Sequence, residues 1–244
     1  MRPRCRIIVD EMSESHGANP YAPPVDDAAP QSLVAGAVGY RDQGTRLSVV
    51  GVFLALFVLA SLASMWSCMA ANEFVPAVFS ILEPRELGQQ GIDVLRVVSV
   101  CGVLLSAIAI GAFLVRANHN ARALGGPEHG MTVSPGWTVG WFFIPFANWV
   151  RPYQAVREIW NVSEPERSGP VALWWGLWLT VSFGGRVVAR ISNTAETWEE
   201  IARANWLNFV HSGVSIAAAV AVFLVVRGLH ENQQRHVSRL QRAD

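Results

Sequence analysis

Arg186 and His211 each stand inside a long apolar run of the sequence. An ionisable side chain in such surroundings is costly to bury and is read first as a functional group. Asn208 falls about one helical turn before His211, so the three residues sketch a polar site facing the interior of a helix bundle, suited to an anionic headgroup. The competing reading is that Arg186 and Arg190, close to the end of their run, extend their guanidinium groups to the interface while their stems stay in hydrocarbon. A second candidate is the stretch WTVGWFFIPFANWV, Trp137 to Val150. Pro145 lacks a backbone donor and breaks a helix, so backbone carbonyls would be freed there, and Asn148 can either satisfy them or hold a ligand. Transporters use discontinuous helices in this way, but with paired interruptions in two repeated halves, and no second interrupted segment occurs here. The Trp and Phe residues of the stretch equally suit a belt at a membrane interface.

Other chemistry is thin. His119, between Asn118 and Asn120, has no carboxylate nearby in sequence to orient it. Cys5, Cys68 and Cys101 show no metal-ligand spacing, and the latter two read as small apolar-like residues rather than a disulfide. No zinc-protease, nucleophile-elbow, phosphate-loop or dinucleotide fingerprint is present, so neither a cofactor nor an enzymatic activity is expected. Asn161-Val162-Ser163 matches a glycosylation sequon but falls on the expected cytoplasmic side.

The elements that would carry these residues are unusual for a soluble protein. Half of the residues are hydrophobic and 16% are charged, against about 25% charged in soluble domains, and the apolar residues are blocked into runs. No net charge remains, which gives no bulk attraction to nucleic acid. About 20 apolar residues in a helix cover the ~30 Å hydrocarbon core of a bilayer. Four runs reach that length, at about 47–71, 94–115, 171–191 and 205–226. Thr197-x-x-Glu200 is spaced as a capping box opening the last of these helices. The segment 137–150 is too short and too broken to cross, and reads as re-entrant or interfacial. Residues 151–160 look amphipathic, with Pro152 placed for a first helical turn. They suit either a helix lying among headgroups or a short helix capping a loop.

Arginine supplies every basic side chain other than histidine. Arg41 and Arg46 precede the first run, Arg116 and Arg122 follow the second, Arg151, Arg157 and Arg167 follow the broken segment, and Arg227, Arg235, Arg239 and Arg242 follow the last. All lie on one side only if the broken segment does not cross. By the positive-inside rule that side is cytoplasmic. The expected organisation is a Pro-rich, disordered cytoplasmic tail over 1–44, a transmembrane domain over 45–230 and a basic cytoplasmic tail over 231–244. Met1 to Leu33 carries no cleavable signal pattern, and Met12 offers an alternative start.

The loop between the second and third runs also carries a recognisable pattern. It includes Arg116-Ala117-Asn118-His119-Asn120, Pro135-Gly136-Trp137, Gly140-Trp141, Phe143-Ile144-Pro145 and Ala147-Asn148. Arg151-Pro152-Tyr153, Arg157-Glu158-Ile159-Trp160 and the pair Trp174-Trp175 complete it. In these motifs the chain resembles a bacterial membrane family known only as domain of unknown function 4328. The resemblance implies a membrane architecture and transfers no catalytic residue. The expectation is an all-α, polytopic bundle of four spans plus one Pro-broken segment. It would be a non-enzymatic structural or interaction protein of the bacterial inner membrane, with the lipid bilayer as its surroundings and a membrane protein or a second copy as partner. A channel or transporter built on 137–150 is the alternative, and a membrane enzyme the third.

Overall fold

The computed structural model describes residues 39–71, 89–125, 130–164 and 169–243. They form α1 (Gly44–Ala71), α2 (Gln89–Gly125), α3 (Trp137–Gly140), α4 (Arg151–Ser163), α5 (Val171–Thr194) and α6 (Trp198–Ala243). Two 3₁₀ turns, Trp141–Phe143 and Ala147–Trp149, separate α3 from α4. Among the described residues there is no β-strand. Most of the expected leader and the loop at 72–88 lie outside the described residues, as do Cys5 and Arg167.

Helices α1 and α6 start where the sequence provides a cap. The Asp42 carboxylate accepts the Gly44 N–H at 2.9 Å. That bond is the main reason its pKa falls below the ordinary carboxylate value. The capping box at α6 forms as spaced: the Glu200 carboxylate accepts the Thr197 N–H at 3.1 Å, and the Thr197 hydroxyl accepts the Glu200 N–H at 3.3 Å. Pro152 sits in the first turn of α4, where its missing donor is not needed.

Four helices, α1, α2, α5 and α6, are long and apolar enough to cross a membrane. Leu56, Leu59, Val103, Ile108, Val187 and Leu224 are exposed on their outer faces. A contiguous apolar surface of that kind is unsuited to water and suited to lipid; the chain is a multi-pass membrane protein. Helix α6 packs along both α1 and α5, while α2 packs on α1 and α6. The start of α1, the end of α2, the start of α5 and the C-terminal half of α6 therefore meet at one end, referred to below as the arginine end.

The buried core concentrates there, with Val50, Phe113, Ala117, Ile159, Val226 and Leu229 shielded from solvent. Residues 130–164 leave α2 and return to α5 at this same end, so the broken segment makes no fifth crossing. Helix α4 is not laid on the surface by its apolar side. Val156, Ile159 and Trp160 are buried against the bundle while Arg151 and Arg157 remain exposed. Helix α6 continues past its expected span to Ala243. At about 1.5 Å per residue its 46 residues reach about 69 Å, roughly twice the hydrocarbon thickness.

Candidate functional site

The residues that the sequence marks by motif gather at the arginine end, around amide side chains withdrawn from solvent. Gln233, on α6, is completely buried. Its side-chain carbonyl accepts Gln43 Nε2 at 2.8 Å and Asn120 Nδ2 at 3.3 Å. Its Nε2 donates to the Ala117 carbonyl at 2.9 Å and to Ser163 Oγ at 3.3 Å. One amide thus ties α6 to α2, to α4 and to the residue preceding α1. Asn120 pairs with the backbone of Arg41 as a peptide group would, accepting its N–H at 3.2 Å and donating to its carbonyl at 2.9 Å. A buried amide left unbonded costs about 1–3 kcal/mol, so these bonds specify a single arrangement of the helix ends.

Asn118 does the same for the strap that leads into the broken segment. Its Nδ2 donates to the Val133 carbonyl at 3.0 Å and to Thr138 Oγ1 at 2.9 Å, and its Oδ1 accepts Arg122 Nε at 3.0 Å. From the other side the Glu158 carboxylate accepts the backbone N–H groups of Thr132 and Val133 at 3.0 and 3.1 Å. Trp160 is packed so closely on Gly169 and Gly228 that a Cβ at Gly228 would lie 2.6 Å from its ring. Ser163, of the sequon, is buried in helix α4 and bonded to the Ile159 carbonyl at 2.7 Å.

In the broken segment, Gly140 leaves room for the Trp137 ring, which a Cβ would approach to 2.9 Å. Pro145 ends the helical path, and Asn148 Nδ2 bonds the Phe142 carbonyl at 3.1 Å, the group that a continuing helix would have used. Phe146 takes φ 62°, ψ −43°, and the Ala147 N–H donates to the Pro145 carbonyl at 2.7 Å. This is a γ-turn of the strained hand. The Trp149 carbonyl then accepts Trp175 Nε1 at 3.0 Å, docking the segment on α5. Phe142 meets Trp175 and Trp178 edge-on, and Trp149 meets Phe183. The segment therefore lies against the first four turns of α5. Phe143 and Phe146 point outward. Trp141 Nε1 and Asn148 Oδ1 are buried without a partner among the described residues.

Because α2 and α5 scarcely touch, a cleft of about 460 Å³ remains between them. Leu54 and Phe57 of α1 and Ala218, Ala219 and Val222 of α6 form its back wall, and Val139, Phe142 and Phe143 close its arginine end.

Other residues marked in the sequence lie elsewhere. Arg186 is exposed with its guanidinium 5.6 Å from the Phe183 ring centre. His211 Nε2 bonds the Val181 carbonyl at 3.2 Å, in space left by Gly184 and Gly185. Arg186 is not brought onto His211. Asn208 bonds Ser192 Oγ at 3.0 Å. Arg116 stands near Arg41 and Arg46, Arg157 lies over the Tyr153 ring and Arg151 over Trp141. Trp174 and Trp175 are buried and Gly136 meets open space. Cys68 and Cys101 are free, Cys101 exposed. Among the described residues no three His, Cys, Asp or Glu side chains are grouped to hold a metal ion. The motif Arg116 to Asn120 pointed to Asn118 and Asn120, but nothing in the sequence pointed to Gln233 or Gln43. In the structure His119 points outward between these two buried amides.

The family model described as Domain of unknown function (DUF4328) matches residues 86–231, more than half of the chain. The chain belongs to this family. The DUF4328 match takes in α2, the strap, the broken segment, α4, α5 and α6 as far as Glu231, and stops short of Gln233. No curated protein and no solved structure matches the chain.

Proposed function

We propose that this DUF4328 protein is a non-enzymatic scaffold of the bacterial inner membrane. Both of its termini face the cytoplasm, and its arginine end holds a membrane-protein partner or a second copy. The observation that carries the reading is the use made of the motif residues. Asn120, Trp160 and Trp175 spend bonding or packing groups on neighbouring elements, and Asn148 Nδ2 closes the broken segment on itself. They build a rigid end rather than a reaction centre. The orientation rests on Arg41, Arg46, Arg122, Arg151, Arg157, Arg227 and Arg235 sharing that end, with Glu196, Glu199 and Glu200 at the other and Arg203 the basic exception beside them. Rigidity at this end leaves Trp137, Phe146, Arg151 and Arg157 on its outside, a mixture of aromatic and arginine side chains of the kind enriched in interfaces.

Conduction through the broken segment is the weaker reading, because the cleft beside it is walled almost wholly by apolar side chains. Cysteine substitutions from Trp137 to Val150, labelled from the aqueous phase, separate the two. Labelling confined to Trp137, Phe146 and their neighbours at the rim is expected, and a continuous labelled stripe through Phe142 and Asn148 would favour passage. A reporter fused after Asp244 that was active only in the periplasm would reverse the orientation.

A further inference from the structure

We propose that Arg46 and Arg116, with Arg41 beside them, form a binding site for the phosphodiester of an anionic phospholipid in the leaflet at the arginine end. The first two residues mark the edge of the hydrocarbon. On α1 no charged residue follows Arg46 as far as Ala71, and on α2 none lies between Arg96 and Arg116. Arg46 reaches across the seam between α1 and α2, where its Nη1 donates to the Ala112 carbonyl at 2.7 Å. Ala112 stands one turn before Arg116 on α2, so guanidinium groups from two helices are set over one turn. Arg116 is also within electrostatic reach of both Arg46 and Arg41.

What this group lacks is a negative charge. The described carboxylates of the arginine end are engaged elsewhere: Asp42 by the Gly44 N–H and Gln234, Glu158 by Thr132 and Val133, Glu164 by Arg239, and Glu231 by Arg227. Other arginines of this end have partners of their own. Arg122 and Arg235 bond Asn118 and Asn232, while Arg151 and Arg157 lie over Trp141 and Tyr153. Among the described residues, none of Arg41, Arg46 and Arg116 pairs with a carboxylate. Arg41 and Arg46 are exposed and Arg116 partly so, and each guanidinium carries several N–H donors, so bonds remain for an occupant. A phosphate between like charges turns their repulsion into attraction and takes up the paired donors that arginine offers to phosphate. Toward the centre of the membrane the same flank is apolar. Val49 lies one turn deeper than Arg46, and Ile108 and Leu105 lie one and two turns deeper than Ala112; all three are exposed. Acyl chains thus have a bed directly beneath the headgroup, which a soluble anion would leave empty. A net negative headgroup is favoured over a zwitterionic one because it brings no further positive charge to the cluster. The inference stands on the membrane-spanning fold and does not depend on the scaffold reading.

The test is native mass spectrometry of the full chain from mixed micelles holding equal amounts of phosphatidylglycerol and phosphatidylcholine with matched acyl chains. The unaltered chain is expected to retain phosphatidylglycerol about tenfold over phosphatidylcholine. Arg46→Gln combined with Arg116→Gln is expected to reduce that preference to about twofold or less, with circular dichroism unchanged. Arg227→Gln combined with Arg235→Gln removes the same charge from the same end and should leave it within about twofold of the parent. A second measurement needs no variant. In vesicles, a phosphatidylglycerol probe with a diazirine beside its glycerol should label 46–49 and 108–116 about fivefold above a phosphatidylcholine probe of the same design. Equal retention of the two lipids would overturn the proposal, as would a preference that survives the double substitution at 46 and 116, or labelling spread evenly over α1 and α5. Displacement of the lipid by inorganic phosphate would overturn it by making the ligand a soluble anion. A preference that appears only with Asp26→Asn and Asp27→Asn would do so by making the leader's own carboxylates the occupant.

Discussion

Phe146 holds a backbone conformation that a side chain opposes, with φ at 62°, and its ring is mostly exposed while its neighbours Phe142 and Trp149 dock on α5. The position is thus occupied for its turn and for the surface that it offers, at a cost of about 1–3 kcal/mol in backbone strain. A pair of substitutions separates the two. At an ordinary site alanine is more stable than glycine by about 0.4–1 kcal/mol. Here the order is expected to invert, with Phe146→Gly more stable than Phe146→Ala by about 1 kcal/mol in equilibrium unfolding in mixed micelles. The usual order would mean that the γ-turn does not persist in the folded protein. Asn148 is the counterpart of this strain, since its side chain closes the carbonyl that Pro145 leaves open.

At the scale of elements, the amide cluster is what ties the approach to α1, α2, α4 and α6 into one unit. Asn120→Ala removes the bonds to Arg41 and leaves that backbone unsatisfied, and Gln233→Ala removes the tie from α6 to Gln43, Ala117 and Ser163. Each is expected to cost about 2–3 kcal/mol. The double variant should cost less than the sum by about 0.5–2 kcal/mol, because the two side chains share a bond. His119→Ala, on the outward face between them, is the control and should stay within about 0.5 kcal/mol of the parent. Additive losses at 120 and 233 would show that the two amides act separately.

Some of this is legible in the sequence and the rest is not, for physical reasons. The four spans and the failure of 137–150 to cross were legible because lipid imposes a length and proline interrupts it. The start of α6 was legible from Thr197 and Glu200, because a capping box is local. Gln233 was not. It sits in Glu231-Asn232-Gln233-Gln234-Arg235, where composition alone suggests a solvated tail, and its burial depends on partners 70 to 190 residues away in sequence.

For the whole molecule, the decisive feature is that α6 does not stop at the membrane surface. A helix that outruns the hydrocarbon by this much would ordinarily be a free extension, yet Leu229 and Gln233 are completely buried and Trp160 rests on Gly228. Beyond Arg235 no residue is fully buried, and the ion pair there, Arg239 to Glu164 at 2.7 Å, has the Arg239 side chain 60% and the Glu164 side chain 12% exposed, a pair worth about 1 kcal/mol. Truncation should therefore show a boundary inside the helix rather than at its exit from lipid. Deleting 236–244 is expected to lower stability by no more than about 1 kcal/mol. Deleting 228–244 removes a buried leucine, worth about 2–5 kcal/mol by itself, together with the Gln233 bonds, and should release the arginine end while the four spans still insert. Limited proteolysis of reconstituted vesicles reads the difference as new cleavage at the strap 130–136 and around Arg151 in the longer deletion alone. Equal protection in both truncations would mean that the spans hold together without their arginine end, and that α6 beyond Arg227 is an appendage.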